Sequence, residues 1–170
     1  MNSAFLLDIV LDGLFAAIAA VGFAVISNPP RRTIPYTALL AAIGHAMRFW
    51  MLDIPVSITA ASFAGAFSIG LLALLFARRL HCPAEVLSFP ALLPMIPGMY
   101  AYKTILTTIQ FMSDKTPPEE QQFLLTAVFH NGFTTLFVMS ALVIGVLLPI
   151  LMFPKVAYTM TRLLKPIVGK

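Results

Sequence analysis

The sequence predicts an all-α membrane protein: a single transmembrane domain over residues 1–170 that crosses the bilayer about five times, its fourth crossing broken by prolines. Three observations lead there. First, 59% of the 170 residues are hydrophobic and only 11% are charged, with a mean hydropathy of +0.92, whereas soluble domains carry roughly a quarter charged residues. Second, apolar runs long enough to span recur along the whole chain, with nothing between them large enough to form a domain. Third, the separators are short and rich in proline or charge. The net charge of +4 sits between apolar runs and never forms a basic face interleaved with aromatic residues. That excludes nucleic acid as a partner and leaves the lipid bilayer.

The first run, residues 4–27, has no Lys or Arg ahead of it and carries Asp8 and Asp12. Those are the wrong flanks for a cleaved signal peptide, so it reads as a span. Asn28-Pro29-Pro30-Arg31-Arg32 ends it, and a second span follows over 34–52 as far as Asp53-Ile54-Pro55. The third, 56–77, holds the small-xxx-small pair Ala61 and Gly65 beside Ala66, a close-packing face. Arg78 to Pro83, with the lone Cys82, separates it from a fourth run over 84–112. Ser113 to Glu120 precedes the fifth, 121–153.

Basic residues orient these spans. Arg31, Arg32, Arg78, Arg79, Lys155, Arg162, Lys165 and Lys170 fall on one side of a five-span chain, and only Lys115 falls on the other. By the positive-inside rule the N-terminus faces out and the C-terminus faces the cytoplasm. An odd number of spans has a consequence: a second such unit following in one chain would insert upside down.

Polar groups inside the apolar runs are the candidate functional residues, because an ionisable side chain at mid-bilayer costs roughly 2.5–3.5 kcal/mol and needs a partner or a watery cavity. Asp8 and Asp12 share a face one turn apart, as do His45 and Arg48 at i, i+3. Opposed helix directions place Asp12, His45 and Arg48 at similar depth. They are either a structural pairing, with Asp8 in the head groups and Arg48 snorkelling, or a group that handles protons or substrate. Histidine is the side chain that changes charge near neutral pH, so Asp12 and His45 are the proton-coupling candidates.

The fourth run contains Pro90, Pro94, Pro97 and Gly98. Each proline removes a backbone donor and interrupts the i to i−4 ladder. At roughly 29 residues, about 43 Å as a helix, the run also exceeds a hydrocarbon core of about 30 Å and has length to spare for an unwound piece. A half-helix opening at Pro97-Gly98 presents free amides to an anion, with Tyr100, Tyr102 and Lys103 in its first turns. The competing reading is a kinked helix in which Lys103 is a structural counter-ion. In the fifth run His130, Asn131, Thr134 and Thr135 lie near mid-bilayer, where they hydrogen-bond between helices or face a pathway. No phosphate-cradling motif is present to draw energy from ATP, and His45, His81 and His130 have no metal-ligand spacing. No cofactor, metal centre or enzymatic activity is expected.

Gly22-Phe23-Ala24-Val25-Ile26-Ser27-Asn28-Pro29-Pro30-Arg31, then Ala42-Ile43-Gly44-His45-Ala46-Met47-Arg48 with its Gly-His-x-x-Arg segment, and Pro90-Ala91-Leu92-Leu93-Pro94-Met95-Ile96-Pro97-Gly98-Met99-Tyr100-Ala101-Tyr102 resemble the threonine/serine exporter family. They most resemble the short, membrane-only half of its split two-protein form. The resemblance covers nearly the whole chain in order and length. It implies secondary export of small carboxylates: threonine and serine in the fused form, dicarboxylates such as succinate in split forms. It also implies a longer partner with a soluble domain and five spans, a bacterial inner-membrane location, and functional weight on Gly44, His45, Arg48, Pro94, Pro97, Gly98 and Tyr100. A higher oligomer stays open. The chief alternative is an assembly subunit that stabilises a membrane partner without transporting; a channel or an intramembrane enzyme is a weaker one.

Overall fold

The computed structural model describes residues 3–113 and 117–153, and among them there are helices and turns but no strand. Asp114, Lys115, Lys155, Arg162, Lys165 and Lys170, on which part of the orientation rests, lie outside the described residues, as does the side chain of Glu119.

Among the described residues six α-helices follow one another: α1 (Ser3–Ser27), α2 (Ile34–Leu52), α3 (Ile58–Leu80), α4 (Ala84–Leu92), α5 (Gly98–Phe111) and α6 (Pro118–Met152). Local chemistry sets most of their ends. Asn28 takes a left-handed conformation at φ 48°, and Pro29-Pro30 cannot continue α1. A single 3₁₀ turn, Arg31–Thr33, is then pinned by the Thr33 hydroxyl donating to the Pro30 carbonyl at 2.7 Å. Ser57 caps α3 by accepting from the Ala60 amide at 3.3 Å. At its other end His81 turns left-handed at φ 52°, and the Cys82 amide returns to the Ala77 carbonyl at 3.2 Å.

Among the described residues three helices are long and apolar enough to cross a membrane: Ala4–Ser27, Ile58–Leu80 and Glu120–Met152. Helix α2 has 19 residues but carries His45 and Arg48 in its interior. The fourth run is interrupted. Helix α4 stops after 9 residues, a 3₁₀ turn occupies Leu93–Met95, and α5 restarts at Gly98 for 14 residues. Neither piece alone reaches the roughly 20 residues a span needs.

The chain divides into two compact units, one of Met1–Met95 with Ala141–Lys170 and one of Ile96–Ser140, so that α6 contributes to both. In the first unit α2 is central and packs on α1, α3 and α4. The approach is close where side chains are absent. A Cβ on Gly65 would stand 2.7 Å from the Gly44 carbonyl oxygen, and the same vacancy accommodates the Met95 side chain. Ala61 and Ala66 beside it are fully buried, giving the small-residue face the sequence implied. In the second unit α5 meets α6 where Thr104 packs against Gly132, and Phe129, Phe133 and Phe137 form an exposed stacked ladder along α6.

Candidate functional site

Asp12 lies on α1, one turn beyond the exposed Asp8. Its neighbour Gly13 lets α1 come against α2, since a Cβ there would stand 3.0 Å from the Ala42 carbonyl oxygen. At that spacing the Asp12 carboxylate reaches His45, with Nδ1 to Oδ2 at 3.1 Å. A carboxylate only accepts, so Nδ1 carries the proton and donates. The other ring nitrogen, Nε2, is buried and has no hydrogen-bond partner. The two side chains are 15% and 33% exposed for His45 and Asp12, so the pair is sheltered without being sealed.

Arg48, one turn along α2, lines the same cavity of about 220 Å³ as Asp12, His45, Phe49 and Leu52. Its guanidinium donates to the Met95 carbonyl oxygen at 3.0 Å. Met95 ends the 3₁₀ turn at the helix break, where a continuous helix would have supplied a backbone donor from Met99. Arg48 therefore satisfies a carbonyl that the prolines orphaned. The first unit thus joins a carboxylate–imidazole pair, a guanidinium and the buried end of a broken helix in partly apolar surroundings. Such a set can hold or pass a proton and offers cationic N–H groups to a carboxylate.

The second unit carries the start of α5. Pro97 is its N-cap, and the Pro97 carbonyl accepts from the Tyr100 and Ala101 amides, both at 3.1 Å. Gly98 donates to the Ile96 carbonyl at 2.8 Å. Of the first three amides of α5, only that of Met99 has no backbone acceptor, so the anion cradle expected at this helix start is one amide wide. Tyr102 and Lys103 are exposed and Tyr100 is half-buried. On α6 His130 is exposed, while Asn131 turns its side-chain amide back to the Ala127 carbonyl at 2.8 Å.

The structure thus brings Asp12, His45 and Arg48 together, with Pro94 in the 3₁₀ turn of the same unit. Pro97, Gly98, Tyr100, Tyr102, Lys103, His130 and Asn131 belong to the other unit. Two contributors escape sequence reasoning. Gly13 sets the distance between α1 and α2, and the Met95 carbonyl is the acceptor for Arg48. A glycine directly after an intramembrane aspartate is a signal for the first; a main-chain oxygen leaves none. Among the described residues no group of His, Cys, Asp and Glu is arranged to hold a metal ion.

Long apolar helices, a proline-broken segment and a sheltered charge cluster are the features of an integral membrane protein. The family model described as "Threonine/Serine exporter, ThrE" matches residues 12–152, and the chain belongs to that family. An uncharacterized protein of Haemophilus influenzae (strain ATCC 51907 / DSM 11121 / KW20 / Rd) is 35% identical over 153 residues, which are 88% of this chain and 49% of that protein. The chain therefore spans about half the length of the curated relative it matches. No solved structure matches it.

Proposed function

We propose that this chain is the short membrane subunit of a secondary exporter of small carboxylates, threonine and serine or a dicarboxylate such as succinate, and that it works with a longer five-span partner bearing a soluble domain. The observation that carries this reading is the helix break whose Met95 carbonyl is held by Arg48, beside the Asp12–His45 pair. Broken helices at membrane depth are tolerated where they line a cavity, and transporters place substrate and coupling-ion sites there. Asp12 and His45 serve as the proton-coupling pair. Arg48 and, in the second unit, the start of α5 with Gly98, Tyr100, Tyr102 and Lys103 each serve in carboxylate recognition, with His130 and Asn131 contributing from α6. A partner that also has five spans would form an inverted pair with this chain, the arrangement many transporters use. On this reading the chain crosses a bacterial inner membrane five times, N-terminus out.

The test is counterflow of threonine, serine and succinate in vesicles holding both subunits. Arg48→Ala and Gly98→Leu should each reduce saturable efflux at least about tenfold, a loss near 1.4 kcal/mol, while the complex still assembles. Normal efflux from both removes these sites. If polar substitutions instead lower the partner's level and leave transport per complex unchanged, the chain is an assembly subunit.

A further inference from the structure

At the other end of the first unit from the Asp12 cluster, α3 closes in a stripe of a different kind. Leu71, Leu75, Arg78 and Arg79 follow one another at helical spacing, and all four are exposed. A cavity of about 490 Å³ lies against Leu75, Phe76, Arg78 and Arg79. Tyr36 packs at a tilt against Phe76 with ring centroids 5.1 Å apart, which brings the start of α2, and with it Arg31 and Arg32, to the same end. Arg32 is also close enough to the buried Cys82 thiol, after α3, to offset part of the rise in its pKa that burial causes.

The charge at this end is uncompensated. The turn joining α1 to α2 and the last turn of α3 bring four arginines to this end, and the start of α4 adds one carboxylate, Glu85. Glu85 lines a separate cavity with Ser27, Asn28, Pro29 and Pro30. Among the described residues none of these four guanidiniums forms an ion pair with a carboxylate. An aqueous anion would use the guanidiniums and ignore the leucines; a zwitterionic lipid would use the leucines and gain little from unopposed positive charge. A ligand that uses both has a phosphate without a compensating amine, joined to hydrocarbon.

We propose that the end of α3 is a binding site for an anionic phospholipid, its phosphodiester held by Arg78 and Arg79 with Arg31 and Arg32 reinforcing the field, and one acyl chain lying along Leu71 and Leu75. Guanidinium forks match phosphate oxygens in pairs, and a basic pocket at a helix end beside an apolar face is the arrangement that retains such headgroups. The site is independent of the transport reading and stands or falls without it.

The experiment uses the full chain in a neutral detergent, titrated with phosphatidylglycerol and with phosphatidylcholine of the same acyl chains, and read by native mass spectrometry and thermal shift. Phosphatidylglycerol should bind at least about tenfold more tightly, and raising the salt from about 0.05 to 0.5 M should erase most of that preference. Arg78→Gln with Arg79→Gln should reduce phosphatidylglycerol to the phosphatidylcholine level at unchanged helicity, and Leu75→Gln should weaken it without the salt dependence changing. Equal affinity for the two lipids in the unsubstituted chain overturns the proposal, and needs no variant to fold. So does a preference that survives the double substitution, or inorganic phosphate that competes fully at the lipid's own concentration.

Discussion

At the residue scale the informative atom is Nε2 of His45. With Nδ1 donating to Asp12, the ring leaves a buried nitrogen without a partner, an arrangement that costs about 1–3 kcal/mol when it serves no purpose. On the proposed proton-coupling role, the open nitrogen is the position that receives a proton and Asp12 carries the balancing charge. Asp12→Asn keeps a hydrogen-bond acceptor and removes that charge; His45→Gln keeps a polar side chain and removes the titration. Each should abolish stimulation of transport by an imposed proton gradient while counterflow, which needs no net driving force, continues. A variant pair that loses both activities in parallel would mark Asp12 and His45 as structural. The two substitutions should also fail to add in thermal stability, since one contact joins them.

Among the elements, the junction of α2, α3 and the 3₁₀ turn before α5 determines what the break packs against. Gly65 is the pivot: its missing side chain leaves room for the Gly44 backbone, the Met95 side chain and the stem of Arg48, whose Cβ would be 3.4 Å from a Cβ on Gly65. A backbone oxygen cannot yield as a flexible side chain can. Gly65→Leu should therefore push α3 off α2, displace Met95 from Arg48, and lower stability by more than the 1–3 kcal/mol typical of overpacking. Thermal unfolding of the purified chain reads this directly. Gly98→Leu is the contrasting case, because nothing lies within 4 Å of a Cβ there. Its loss of efflux should come from blocking access and leave thermal unfolding unchanged.

For the whole molecule, the distribution of apolar surface is the dominant fact. Phe15 is 66% exposed on α1, Ile26 82% and Phe123 72%, so much of the helix surface meets lipid or another subunit. If a second unit covers part of it, efflux should require co-expression with a membrane protein of five spans and a soluble head, and the two should copurify in mild detergent. Full substrate efflux from the chain reconstituted alone would make it self-sufficient, as a homo-oligomer or otherwise.

The order of residues by itself determines that this is an all-helical membrane protein, because apolar length and proline placement act locally: Pro29-Pro30 end α1, and Pro94, Pro97 and Gly98 divide α4 from α5 wherever these segments pack. It also brings Asp12, His45 and Arg48 under suspicion, since charge in an apolar run is expensive in any fold. Only the tertiary structure decides that Asp12 pairs with His45 and that Arg48 answers a main-chain oxygen at Met95. Those partners lie 33 and 47 residues apart, and the contact depends on how closely α1, α2 and α3 approach. It likewise reduces the free amides at the start of α5 to that of Met99, because Pro97 and Ile96 carbonyls turn back to take the others, a local closure that composition does not encode.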